Sequence, residues 1–226
     1  MADSMSSIDQ RYDRQRTLIP TEKLAATPVT IIGVGAIGRQ LTLQLAAMGV
    51  RRFQLIDFDQ VDWPNVAAQG FATADIGQAK VHAVASSLFQ FDPTLHVDTV
   101  QDRWRPKHLV HAVVFSCVDS IIARSAIWNG VGSSRSFWGD ARMLGEVIRI
   151  LTATDSQSRD HYRSTLFDPS QAQQGSCTAR STIYTASIAA GLLAHHFARW
   201  LRGSDLPNDI VLNLMDLEQL AASSMA

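Results

Sequence analysis

Residues 28–59 leave this chain few folds to choose from. Val29-Thr-Ile-Ile32 is apolar apart from Thr30, the pattern of a strand buried on both faces of a parallel sheet. Gly33, Gly35 and Gly38 follow at once. They suit a tight turn, a bare backbone that a phosphate can approach, and close helix–strand packing. Leu41, Leu45 and Met48 then repeat at helical spacing, and Gly49 is a natural stop. A second strand from Phe53 ends at Asp57, 24 positions after Gly33, where a carboxylate suits a ribose hydroxyl. Together these parts predict an α/β fold that holds an adenine nucleotide. The expected architecture is a Rossmann-like, mostly parallel sheet with a mixed, partly antiparallel C-terminal half.

The totals agree with one such domain. A chain of 226 residues buries a large core without disulfides or a structural metal. A net charge of −1 offers no basic field for nucleic acid. Two cysteines far apart, Cys117 and Cys177, fit a reducing compartment, and residues 1–10 lack an apolar signal core. The most apolar helix, expected over residues 179–201, contains Arg180, His195, His196 and Arg199, so no membrane span is expected. The expected localisation is cytoplasmic.

Along the chain, residues 1–27 read as an N-terminal arm with a short helix capped by Thr21, and 28–135 as the nucleotide-binding half. Residues 136–226 form the C-terminal half. A loop is expected from Gln60 to Phe71, and Asp75 is the expected cap of a helix that carries Lys80. A strand ends just before Asp119, and a helix begins at Ile121. Two β-like runs, 136–141 and 146–152, flank Met143-Leu-Gly145 as in a hairpin. A long polar crossover loop is expected over 154–176, then the long helix, a closing strand over 209–214 and a soft tail from Glu218.

The chemistry of the charged residues points the same way. Nucleotide phosphates concentrate negative charge, so their site needs cations and oriented N–H groups. A helix opening near Arg39 supplies backbone donors at its positive end. Lys80 can reach a phosphate as a point charge. Asp119, beyond a strand's carboxyl end, is placed to hold Mg²⁺ or else to cap the helix at Ile121. Asp140 and Arg142 share one face of a strand, as a structural pair or as the lining of a channel.

These motifs resemble the ThiF/MoeB/HesA family, bacterial relatives of ubiquitin-activating enzymes. The resemblance runs through Arg11-Tyr-Asp-Arg14-Gln, Gly33-Val-Gly35-Ala-Ile-Gly38, Asp57-Phe-Asp59, Asn65, Asp75-Ile-Gly-Gln-Ala-Lys80, Ser116-Cys-Val-Asp119 and Cys177-Thr-Ala. It implies that ATP with Mg²⁺ adenylates the C-terminal carboxylate of a small ubiquitin-like or sulfur-carrier protein ending in glycine. It also implies that Asp57 binds ribose, that Asp59 and Asn65 line the nucleotide site, and that Lys80 and Arg14 neutralise phosphates. Arg14 would reach the phosphates from a partner subunit, implying a homodimer. Cys177 matches a sulfur-transfer or thioester cysteine; its place before a helix and near Arg180 would lower its pKa, and the alternative is a small residue closing a loop. Cys117 reads as core filler.

Two departures stand out. Many relatives have an arginine where this chain has Ala68, so either Arg14, Arg39 or Gln69 compensates or adenylation is slow. Two cysteines cannot make the four-cysteine zinc site many relatives carry, and the matching segment reads His161-Tyr-Arg-Ser164, so no zinc is expected. The rival readings are a scaffold subunit that has lost turnover, an NAD-dependent dehydrogenase resting on the glycines and Asp57 alone, and a small-molecule or tRNA-directed adenylyltransferase.

Overall fold

The computed structural model describes residues 10–167 and 182–221. In chain order the elements are α1 (Thr21–Ala26), β1 (Val29–Ile32), α2 (Ala36–Met48), β2 (Arg52–Ile56), α3 (Trp63–Gln69), α4 (Lys80–Phe91), β3 (His96–Val100) and β4 (Val113–Ser116). Then come α5 (Ile121–Val131), β5 (Phe137–Leu144), β6 (Val147–Ala153), α6 (Ser156–Ser164), α7 (Ile183–Leu201), β7 (Asp209–Asn213) and β8 (Glu218–Ala221).

The strands form one sheet in the order β3-β2-β1-β4-β5-β6-β7-β8. β3, β2, β1, β4 and β5 run parallel, whereas β5–β6, β6–β7 and β7–β8 are antiparallel. The expected parallel half with an antiparallel C-terminal extension is therefore observed. Alternation along the central strands feeds two cores. Val29, Ile31, Val113, Phe115 and Phe137 face a layer built from α1, α2, α4 and α7. Ile32, Ile56, Val114 and Trp138 face the other way, against Trp128 of α5 and Tyr162 of α6. Sealed on both faces, β1 and β4 need no polar alternation. Thr30 is satisfied within the sheet, donating to Gln54 Oε1 at 2.8 Å.

β1 lies between β2 and β4, so the strand order reverses there. A crevice opens at the carboxyl ends of such strands. Three backbone bonds carry the parallel ladder into it: Gly33 N–H to Ile56 O and Cys117 N–H to Ile32 O, both 2.8 Å, and Asp57 N–H to Val100 O at 3.1 Å.

Several local expectations are corrected. Residues 63–69 form α3 rather than a loop, because Asp62 caps it and Asn65, three positions into the helix, bonds back to Asp62 N–H. Asp75 does not cap the helix of Lys80; it ends a 3₁₀ turn and accepts from Ala72 N–H, and α4 begins five residues later after Ala79. α2 opens at Ala36, one turn before Arg39. Thr21 is the first helical residue of α1 rather than its cap. Within the expected crossover loop, Asp155 nucleates α6 by accepting from Ser158 N–H, a capping box that a polar composition concealed. Residues 168–176 of that loop lie outside the described residues. The expected soft tail supplies β8, which pairs with β7 through Glu218↔Asn213 and Leu220↔Val211. The hairpin joining β5 and β6 turns at Gly145, where φ is +59°.

Candidate active site

Two of the three loop glycines are demanded by the fold itself. At Gly33, φ is +88° and a Cβ would lie 2.7 Å from Cys117 O. At Gly38 a Cβ would lie 1.9 Å from Gly33 O, so α2 can sit this close to β1 only with a bare backbone. Gly35 differs. The nearest atoms a Cβ there would meet are the tip of Gln69, at an ordinary 3.4 Å. Gly35 is also the N-cap of α2, so the free N–H groups of that helix begin here.

Asp57 closes one side of this crevice and is buried. Its Oδ2 accepts Val34 N–H at 2.8 Å and its Oδ1 accepts Asp59 N–H at 2.9 Å, so backbone donors fix the carboxylate's orientation. Burial raises its pKa above the ordinary carboxylate value; the two N–H bonds and Lys80 oppose the rise without cancelling it. Lys80, only 5 % exposed, donates to Asp59 Oδ2 at 3.0 Å, and its own N–H bonds Asp59 O at 3.0 Å. Asp57, Asp59, Lys80 and the glycine loop are thus one assembly. Asp119 stands exposed just past the end of β4. It does not cap α5: Ser120 does, accepting from Ala123 N–H at 3.1 Å, which leaves the carboxylate available.

Asn65 spends its side-chain oxygen on Asp62 N–H at 3.1 Å, a local cap. Arg14 is exposed on the N-terminal arm. That arm lies at the far end of α2, where Gln15 Nε2 donates to Ala47 O at 2.9 Å and Tyr12 abuts Gly49. Thirteen helical residues separate the two ends of α2, about 20 Å at 1.5 Å per residue, so Arg14 cannot reach the glycine loop of its own chain. Cys177 lies outside the described residues, as does Arg180. Cys117 packs behind Gly38, and burial pushes its thiol up to about 12, which suits the core role expected of it. His161 bonds the buried Asp209 at 2.8 Å, alongside Arg149. Among the described residues no group of three or more His, Cys, Asp or Glu side chains could hold a metal ion. No helix among them is long and apolar enough to cross a membrane.

The profile of the ThiF family matches residues 12–225. The chain belongs to the ThiF family. The molybdopterin-synthase adenylyltransferase of Haemophilus influenzae is 29% identical over 128 residues, covering 52% of this chain and 53% of that protein. The sulfur carrier protein ThiS adenylyltransferase of Escherichia coli K12 is 26% identical over 208 residues, covering 87% of this chain and 83% of that one. The chain spans about half the length of the first of these relatives. A crystal structure of PaaA superposes with a TM-score of 0.76 at 20% identity, covering 97% of this chain and 75% of that one, a likeness of fold.

Beneath the crevice of this ThiF-family chain lies a charged network that the motif reading only half saw. Asp140 is fully buried and, as its shared face with Arg142 suggested, accepts from Arg142 Nε at 3.0 Å; Tyr162 Oη donates to it at 2.9 Å. Arg124 of α5, 5 % exposed, completes the set: it pairs with Asp140 and donates to Val118 O and to Ala141 O, the latter at 3.1 Å. Burial lowers the Arg124 pKa to about 10, still well above neutrality. This arginine ties the strand end that carries Asp119 to β5. The sequence did hold a signal for it: a lone cation three residues into an apolar helix.

Proposed function

We propose that this chain is an ATP-dependent adenylyltransferase acting on the C-terminal carboxylate of a small ubiquitin-like or sulfur-carrier protein. The observation that carries the reading is the bare backbone at Gly35, which the packing does not itself require, with the oriented Asp57 carboxylate and the sequestered Lys80 beside the glycine loop. The names of the relatives and the family membership support it. NAD binding alone would leave Lys80 and Asp119 without a task.

In this reading Asp57 accepts the ribose hydroxyls, and the N–H groups that open α2 receive phosphate oxygens. Lys80, held by Asp59, neutralises the triphosphate. Asp119 holds Mg²⁺, which screens phosphate charge when bound. The carrier's carboxylate oxygen attacks the α-phosphorus, the bond to the β-phosphate bridging oxygen breaks, and pyrophosphate leaves with that electron pair. No general base is needed, because the attacking carboxylate is already ionised at neutral pH. Catalysis is positioning and charge stabilisation. Arg14 serves the site of a second copy, which makes the active species a homodimer; the 20 Å separation within one chain supports that assignment. Cys177 then takes the acyl group as a thioester, releasing AMP.

ATP–pyrophosphate exchange, measured with candidate carriers that end in Gly-Gly, tests this. The reading expects exchange that depends on the carrier's terminal carboxylate and disappears when the last glycine is removed. Exchange absent with every carrier, or carboxylate-independent, would overturn it.

A further inference from the structure

Position 68 of α3 is an alanine, and the cation that a triphosphate would need on that side must come from elsewhere. Gly70, with φ +78°, ends α3, and a Cβ there would lie 3.1 Å from Arg39 Nη1. The guanidinium therefore lies against the C-terminal end of α3, delivered from the first turns of α2. It rests over the Phe71 ring, 5.2 Å from its centroid. Its Nε is buried without an acceptor, and among the described residues the guanidinium makes no hydrogen bond. Burial lowers its pKa, with Asp75 opposing through space. Nearby, Gln69 Oε1 is also buried without a donor and lies 3.4 Å from where a Gly35 Cβ would be. Rotating that amide by half a turn presents an N–H to the same space.

A buried guanidinium Nε–H against Gly70 and a buried amide oxygen against Gly35, both without partners, are costly unless something binds there. A planar fork of donors matches phosphate oxygens. Resting on the adenylation reading, we propose that Arg39 and Gln69 form the clamp for the β- and γ-phosphates of the bound triphosphate, replacing the cation absent from position 68.

Calorimetric titration with AMP, ADP and ATP, each with Mg²⁺, tests the clamp in the full chain. Hydrogen bonds to charged groups are strong enough that Arg39→Ala should weaken ATP and ADP binding about ten- to a hundredfold. AMP affinity should change by less than about threefold, since AMP lacks the phosphates in question. Arg39→Lys should recover part of the ATP loss, and Gln69→Ala should weaken ATP about three- to tenfold. Equal losses for all three nucleotides would show that Arg39 only supports the loop, and unchanged ATP affinity would show that it touches no phosphate; either result overturns the clamp. If the unsubstituted protein binds none of the three, the adenylation reading itself fails, an outcome distinct from both.

Discussion

Adding a single methyl group at Gly38 and, separately, at Gly35 distinguishes what the fold requires from what a ligand requires. At Gly38 the new carbon would sit 1.9 Å from Gly33 O and 3.2 Å from Cys117 Cβ, and the Gly33 backbone cannot give way as a side-chain tip could. Overpacking of this kind costs about 3 kcal/mol or more, against roughly 1 kcal/mol gained from alanine's better helix propensity. At Gly35 the methyl meets a flexible glutamine tip at 3.4 Å, so the cost is about that of alanine at a helix cap, roughly 0.5–1 kcal/mol. For a domain of this size each kcal/mol moves Tm by about 2–4 °C. Thermal unfolding followed by circular dichroism should therefore drop by about 4 °C or more for Gly38→Ala, and by less than about 4 °C for Gly35→Ala. Calorimetry with ATP and Mg²⁺ should show the reverse emphasis, with Gly35→Ala losing about tenfold or more in affinity while staying folded. If Gly35→Ala bound ATP as tightly as the parent, the space above Gly35 would not be where phosphates approach, and the site would have to be redrawn.

Three further outcomes are expected. Lys80→Met should keep the fold, since Asp59 is left half exposed, while slowing pyrophosphate release by about a hundredfold or more in a single-turnover assay. Arg124→Ala should cost about 3 kcal/mol in urea unfolding, because Asp140 stays buried with only Arg142 and Tyr162 to hold it. Burial lowers the His196 pKa from 6.5 to about 4, so the folded state keeps this ring neutral while the unfolded chain takes up a proton. Stability from this group is full above pH 6.5 and is lost as pH falls towards 4, by up to about 3 kcal/mol. His196→Gln should flatten that part of the pH profile, measured by urea unfolding at successive pH values.

How far the sequence spoke for the structure depended on how local the physics was. β1 could be read to the residue, because a strand buried on both faces and followed by glycines has one interpretation. The antiparallel β5–β6 hairpin was legible from Met143-Leu-Gly145, although Met143 and Leu144 belong to the strand, paired with Ile148 and Val147, and only Gly145 and Glu146 make the turn. Asp57, Asp59 and Lys80 were named from motif position, and the sheet register brought them to one crevice. What escaped was capping. α3 and α6 are short helices held by Asp62 and Asp155, and their polar or Pro-containing sequences look like loops unless the side-chain reach-back is recognised. The same confusion exchanged Asp119 with Ser120 as a possible cap. The lone charge of Arg124 in an apolar helix was visible, but its partners, and the isolation of Arg39 Nε and of Gln69 Oε1, depend on residues distant in sequence, which no spacing rule encodes.

The most direct test of the central claim is calorimetric titration of the purified protein with ATP plus Mg²⁺ and, separately, with NAD, repeated on Asp119→Ala. The account predicts saturable ATP binding that needs Mg²⁺ and weakens in Asp119→Ala, with little affinity for NAD. Tight NAD binding with none for ATP would contradict it.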